Sequence, residues 1–228
     1  MNKLACKGII FDLDGTLVDS SVDAERCWTA WADSANVGGR FNFAETHGRR
    51  RSEIIATVLP ELPEAEIAAH AQQVHLAELE QTSNVVALPG AVKLLNVLPG
   101  TRWAIVTAND RDVAKARIQA AGLPMPGVLI SADEVERSRP DPQGLLRAAS
   151  MLGIEPDNTL VVDDSPIGID AAKRGGMSSV AVRFNRKDAS ISHADLVVDG
   201  VNCLAVDFDP RHCWIYISSS CRCSTSEL

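Results

Sequence analysis

Aromatic residues make up only 4% of the chain, with a single tyrosine, which leaves little from which to build a platform for stacked bases. Positive charge is not in excess either: the formal net charge is −8 and the isoelectric point about 5.1. A broad basic surface for nucleic acid is therefore not expected, although local clusters can still bind single phosphates. No stretch is apolar enough to span a bilayer and the mean hydropathy is +0.01, so a membrane role is not expected. The six cysteines lack metal-site spacing: Cys6, Cys27 and Cys203 are scattered, while Cys213, Cys221 and Cys223 crowd the end of the chain. The opening MNKLACKGIIFDLDGT runs from one lysine through a short apolar stretch straight into acidic residues, with no small-residue cleavage site. It reads as a first strand, and the chain is expected in the cytoplasm with its cysteines reduced.

What is present is alternation. The run KGIIF (7–11) is short, β-branched and apolar, as a strand buried on both faces of a parallel sheet should be. From Ser21 to Leu88 the composition shifts to Ala, Glu, Gln and His, with apolar residues at helical spacing in EAEIAAHAQQVHLAELEQ. After LPG at Leu88 to Gly90, a helix in AVKLLNVL is followed by strands in WAIVT, GVLISA, TLVVDD and SSVAVRF, separated by helical patterns. The pattern predicts an α/β fold: a doubly wound, Rossmann-like parallel sheet core with an all-helical cap inserted after the first strand. The core is expected over 1–20 and 89–208, the cap over 21–88. The Ser- and Cys-rich stretch 209–228 is expected to be a loosely ordered tail.

Candidate chemistry collects at strand ends. FDLDGT places Asp12 and Asp14 two apart directly after the first buried strand, with Gly15 free to turn the chain. One carboxylate can attack phosphorus to give an acyl phosphate, and a neighbouring acid can protonate the leaving oxygen and then activate water. An anionic nucleophile meeting an anionic phosphate calls for a hard divalent cation such as Mg²⁺ with oxygen ligands. VVDDSP offers Asp163 and Asp164 at a second strand end. The remaining phosphate oxygens need donors: the Thr107 hydroxyl and the Ala108 N–H after WAIVT, and the Arg139 guanidinium in RSRPDP.

Taken together, DLDGT, Thr107, Arg139-Pro140 and Asp163-Asp164, in that order, resemble the four motifs of the haloacid dehalogenase superfamily of phosphatases, in the subfamily with a helical cap. The resemblance runs to about residue 208. It extends to bacterial sugar-phosphate phosphatases and β-phosphoglucomutase-like proteins. It implies Asp12 as nucleophile, Asp14 as general acid and base, and Asp164 as direct metal ligand with Asp12 and the main-chain carbonyl of Asp14. Asp163 is implied to bind the metal through water. The family's third motif normally carries lysine, so Arg139 implies reduced activity. The resemblance also lays the cap loop THGRRRS over the active site, with Gly48, Arg49 and Arg51 touching substrate and His47 a weaker candidate.

Blander readings stand beside each of these. Asp12 and Asp14 can occupy an ordinary turn, Asp163 and Asp164 can cap a helix, Thr107 can simply end a strand, and Arg139 can be a surface arginine. The three arginines of the cap loop can be a solvated helix start. His70 and His75 lack a third ligand and read as structural, and Trp28 and Trp31 as packing. The leading expectation is a Mg²⁺-dependent hydrolase of small phosphorylated metabolites, most naturally sugar phosphates, acting as a monomer or homodimer. The alternatives are a phosphomutase of the same fold and a phosphometabolite-binding protein with weak turnover.

Overall fold

The computed structural model describes residues 3–183, 191–211 and 214–219. Strand β1 (Lys3–Cys6) precedes β2 (Gly8–Phe11), which ends at the first acidic loop. Strand β3 (Val18–Asp19) leads into a helical segment of α1 (Ser21–Ser34), α2 (Arg51–Val58) and α3 (Glu64–Glu80), and β4 (Val86–Ala87) leads out of it. There follow α4 (Ala91–Val97), β5 (Trp103–Val106), α5 (Arg111–Ala120), β6 (Leu129–Ile130), α6 (Gln143–Leu152), β7 (Thr159–Asp163), α7 (Pro166–Arg174) and β8 (Ser178–Val182). Strands β9 (Leu196–Val198), β10 (Leu204–Asp209) and β11 (Trp214–Ser219) complete the order.

The main sheet is parallel throughout, in the order β6-β5-β2-β7-β8-β9. This is the expected doubly wound α/β core, and its apolar strands explain the layering. Successive side chains alternate faces, so Ile9 and Phe11 join Trp103, Ile105, Leu160 and Val162 in one buried cluster. Ile10, Ala104, Val106 and Val161 join α6 and α7 residues in a second cluster on the opposite face. Two glycines mark the joints: Gly153 takes a φ of 67° where α6 ends, a left-handed C-terminal position that favours glycine, and Gly15 does the same after β2.

The helical segment has its own core of Trp28, Trp31, Val37, Ile54, Ile55, Leu59 and Val74. The amphipathic spacing of α1 explains this, since Trp28 and Trp31 share one face and meet edge to face at 5.5 Å. His70 accepts a 3.2 Å hydrogen bond from the Trp31 indole. The segment returns to the sheet through the antiparallel β3-β4 pair, so Val86–Ala87 is a short strand within a stretch expected to be wholly helical.

The C-terminal expectation needs correction. Rather than a loose tail from residue 209, Trp214–Ser219 lies between β1 and β10 in a three-stranded antiparallel sheet. Ile215 and Ile217 are buried and join the main core. Residues 220–228 lie outside the described residues, as does Cys213. A second correction concerns the thiols: Cys6 and Cys27 are free, but Cys203 is in a disulfide rather than reduced. Among the described residues, no helix is long and apolar enough to cross a membrane.

Candidate active site

Asp12 sits at the carboxyl end of the central strand, its N–H donating to the Val162 carbonyl at 2.9 Å. Beyond it the chain doubles back. The N–H groups of Leu17 and Val18 both return to the Leu13 carbonyl, at 2.9 and 3.0 Å, and Gly15 adopts a φ of 84°. A Cβ at Gly15 would collide with the Asp164 carboxylate. Glycine is therefore required here twice over, for the turn and for the approach of two acidic loops.

Asp163 ends β7 and Asp164 follows it. Ser165 caps α7 by accepting from the Gly168 N–H at 3.1 Å, and its own N–H and hydroxyl donate to Asp163 Oδ1 at 2.8 and 2.7 Å. Carboxylate oxygens of Asp12, Asp163 and Asp164 lie within 4.8 Å of one another, and all three residues are buried. Arg139 is the permanent cation among them: Nη2 is 2.8 Å from Asp12 Oδ1 and Nη1 is 3.1 Å from Asp163 Oδ2. Its Nη2 also donates to the Val106 carbonyl at 2.5 Å. His47 Nε2, from the helical segment, is 2.7 Å from Asp164 Oδ2.

Burial pushes the Asp12 carboxyl well above the usual carboxylate range; Arg139 pulls it down, but Asp163, Asp164 and Asp14 push it up again. Burial works against the Arg139 charge too, yet Asp163 and Asp12 outweigh it and hold its pKa above the ordinary arginine value. Three buried carboxylates facing one guanidinium leave a deficit of positive charge that a low-dielectric site penalises heavily. A donor set made wholly of carboxylate oxygens fits a hard divalent cation.

Asp14 is held differently. Its Oδ1 accepts from the Ser20 hydroxyl at 2.5 Å and from Arg117 Nη1 at 2.8 Å, while Asn109 Nδ2 donates to Oδ2. Its side chain remains 21% exposed, at the wall of a cavity of about 600 Å³. That cavity brings together Asp12, Asp14, Asp164, Thr107, Ala108, Gly48, Arg49 and Arg51. Thr107 is fixed by its N–H to the Ile130 carbonyl at 3.0 Å, and its hydroxyl accepts from the Asn109 N–H at 3.2 Å. Arg139 instead lines a small adjoining cavity of about 30 Å³ that shares Gly48, Thr107 and Ala108 with the larger one.

The three consecutive arginines of the helical segment are already engaged, and Arg49 and Arg51 line the larger cavity. Arg49 donates to the Glu53 carbonyl at 3.2 Å and to the Thr57 hydroxyl at 2.8 Å. Arg50 donates to the Val135 carbonyl of the core at 2.6 Å. Arg51 pairs with Glu78 at 2.6 Å and with Asp110 at 3.0 Å.

Several residues in contact with the site were not assigned a role from sequence. Ser20, Asn109 and Arg117 donate to Asp14, and Glu78 accepts from Arg117; His47, already a weaker candidate for touching substrate, reaches Asp164. A signal existed for two of them: Arg117 falls in register with Val113 and Ala114 on the buried face of α5, and Glu78 lies four residues after Val74 on the buried face of α3. A charge at a core-facing helical position is a departure from amphipathic patterning that demands a partner.

Comparison with known proteins agrees with this geometry. Residues 6–176 match the haloacid dehalogenase-like hydrolase family. Hexitol phosphatase A of Escherichia coli is 36% identical over 210 residues, covering 91% of this chain and 97% of that protein. Validoxylamine A 7'-phosphate phosphatase of Streptomyces hygroscopicus subsp. limoneus is 32% identical, covering 84% and 92%. The crystal structure of a hydrolase from Pseudomonas syringae superposes with a TM-score of 0.77 at 25% identity, covering 86% of this chain and 94% of that one. A match that takes in the strand ends bearing all four acidic residues, on a sheet of the same kind, places the chain in a family: it belongs to the haloacid dehalogenase-like hydrolases.

Proposed function

We propose that this chain hydrolyses small phosphate monoesters, sugar or polyol phosphates, through an aspartyl phosphate on Asp12. The observation that carries the reading is the buried cluster of Asp12, Asp163 and Asp164, of which Asp12 and Asp164 line a cavity together with Asp14. An Asp12 oxygen attacks phosphorus and the ester P–O bond breaks, with Asp14 giving its proton to the leaving oxygen. Water then attacks the acyl phosphate, Asp14 takes the water proton, and inorganic phosphate leaves with Asp12 restored. Thr107, the Ala108 N–H and Arg139 supply donors and positive charge for the phosphate oxygens. Mg²⁺, when held by Asp12, Asp164 and the Asp14 carbonyl, with Asp163 through water, supplies the charge that lets the carboxylate approach the phosphate.

Two features support a polyhydroxylated monophosphate. The cavity has room for a six-carbon ester, and the similar proteins include a hexitol phosphatase and a validoxylamine A 7'-phosphate phosphatase. The mutase alternative requires a second phosphate to be held. Here Arg50 and Arg51 are held by the Val135 carbonyl and by Glu78 and Asp110, while Arg49 has only neutral partners, the Glu53 carbonyl and the Thr57 hydroxyl. Hydrolysis, which needs one phosphate site, asks less of this loop than transfer does.

The test is phosphate release from hexose, pentose, polyol and nucleotide monophosphates, with and without Mg²⁺, comparing wild type with Asp12→Asn and Asp14→Asn. Mg²⁺-dependent release from sugar or polyol phosphates, lost in both variants, is the expected result. No release from any ester supports a binding protein instead.

A further inference from the structure

Arg117 is out of place in its helix. The inward face of α5 is made of Val113, Ala114 and Ile118, all buried, and Arg117 lies among them with only 4% of its surface exposed. A buried guanidinium is tolerated only when paired on geometry that satisfies its donors. Arg117 is paired through two of its nitrogens, while its buried Nε has no hydrogen-bond partner among the described residues. Nη1 donates to Asp14 Oδ1 at 2.8 Å and to Asn109 Oδ1 at 3.3 Å, while Nη2 donates to Glu78 Oε1 at 3.0 Å.

Glu78 belongs to the helical segment, not to the core, and is equally buried. Its second oxygen accepts from Arg51 Nε at 2.6 Å, and Arg51 Nη1 returns to the core at Asp110 Oδ2, 3.0 Å away. Asp110 is the N-terminal cap position of the helix that carries Arg117. The chain of contacts therefore leaves the core at Arg117, passes through two residues of the cap, and re-enters the same core helix. Asp14 is its terminal member.

A general acid acts only from the right place and direction, and small misplacements cost large factors in rate. The planar guanidinium ties the direction of Nη1, which meets Asp14, to that of Nη2, which Glu78 holds, a coupling that a single ammonium cannot provide. We propose that Arg117 is a positioning residue for Asp14, and that Glu78 of the cap holds the second nitrogen of that guanidinium, so that the aim of the acid/base carboxylate depends on the cap's seat on the core. The proposal rests on the phosphatase reading above.

The test separates acid catalysis from general damage by the leaving group. A hexitol 6-phosphate leaves as an alkoxide and needs a proton, whereas 4-nitrophenyl phosphate leaves as a stable phenolate and needs little help. kcat/KM is measured on both esters for wild type, Asp14→Asn, Arg117→Lys and Glu78→Gln. Arg117→Lys is expected to lose about tenfold more on the hexitol ester than on the aryl ester, and Glu78→Gln about threefold more, a fraction of what a general acid contributes. Equal losses on both esters in both variants overturn the proposal and leave the network as packing alone. Selective loss in Arg117→Lys without any in Glu78→Gln overturns the cap's part in it. If Arg117→Lys does not fold, Glu78→Gln, nearly identical in shape and still able to accept a hydrogen bond, decides. Failure of the wild type to release phosphate overturns the phosphatase reading, and full hexitol-ester turnover in Asp14→Asn overturns the acid/base role of Asp14; either takes this inference with it.

Discussion

His47 Nε2 lies 2.7 Å from Oδ2 of Asp164, so a residue of the helical segment touches one carboxylate of the buried acidic cluster. At that separation the imidazole N–H donates and fixes which way the carboxylate faces. Groups that orient a metal-binding carboxylate commonly contribute one to two orders of magnitude to metal affinity. His47→Ala is expected to weaken Mg²⁺ binding about tenfold, read by calorimetric titration of the purified protein. An unchanged affinity makes the contact incidental.

Arg139 spans Asp12 and Asp163 with separate nitrogens, and its removal leaves three neighbouring carboxylates without a permanent counter-charge. Breaking a buried pair in this way costs about 3 kcal/mol or more. Arg139→Met is therefore expected to lower the melting temperature markedly in EDTA, with much of the loss recovered on adding Mg²⁺. Arg139→Lys is the more delicate case: an ammonium is compact and leaves more room for the substrate phosphate. Its kcat should equal or exceed that of the wild type on the best substrate, and a lower kcat makes arginine the better fit.

Gly15 carries the acidic loop through a φ of 84° within contact of the Asp164 carboxylate. An alanine there incurs roughly 1–2 kcal/mol of backbone strain and also forces Asp164 aside. Gly15→Ala is expected to lose Mg²⁺ binding and turnover out of proportion to its loss of stability. Parallel thermal melts and metal titrations check this, and a variant that binds Mg²⁺ as tightly as the wild type rules out the close approach.

The sheet and its acidic strand ends were legible because each strand is a short apolar run whose alternate residues face two buried layers, and because Asp12, Asp14, Thr107, Asp163 and Asp164 all follow or end such runs. The contacts around Asp14 were harder to see. Arg117 and Glu78 come from helices of two different segments, 39 residues apart in sequence, and spacing along one chain says nothing of which helix faces meet. The orientation of the cap arginines was hidden for a related reason: Arg49 turns to its own helix and Arg51 to Glu78, partners that only the packed structure supplies. At the carboxyl end, composition masked periodicity. Ser and Cys dominate the region, yet in WIYIS the two isoleucines fall on one face.

That short alternation is the basis of a last prediction. Ile215 and Ile217 are 0% and 1% exposed, on a strand held by β1 on one side and β10 on the other, and they pack into the same cluster as Phe11 and Ile105. Truncating an isoleucine in such a setting removes several carbon atoms and leaves a cavity that the surrounding strands cannot fully close, at a cost of about 3 kcal/mol. Ile217→Ala should lower the unfolding free energy by that amount, seen as a lower urea midpoint with an unchanged slope. The neighbouring Ser218 is half-buried and falls on the opposite face of the strand, so Ser218→Ala serves as the control and is expected to change stability by less than about 0.5 kcal/mol. If both variants unfold like the wild type, the strand is not part of the cooperative fold, and residues from 209 onward behave as the loose tail that their composition suggests.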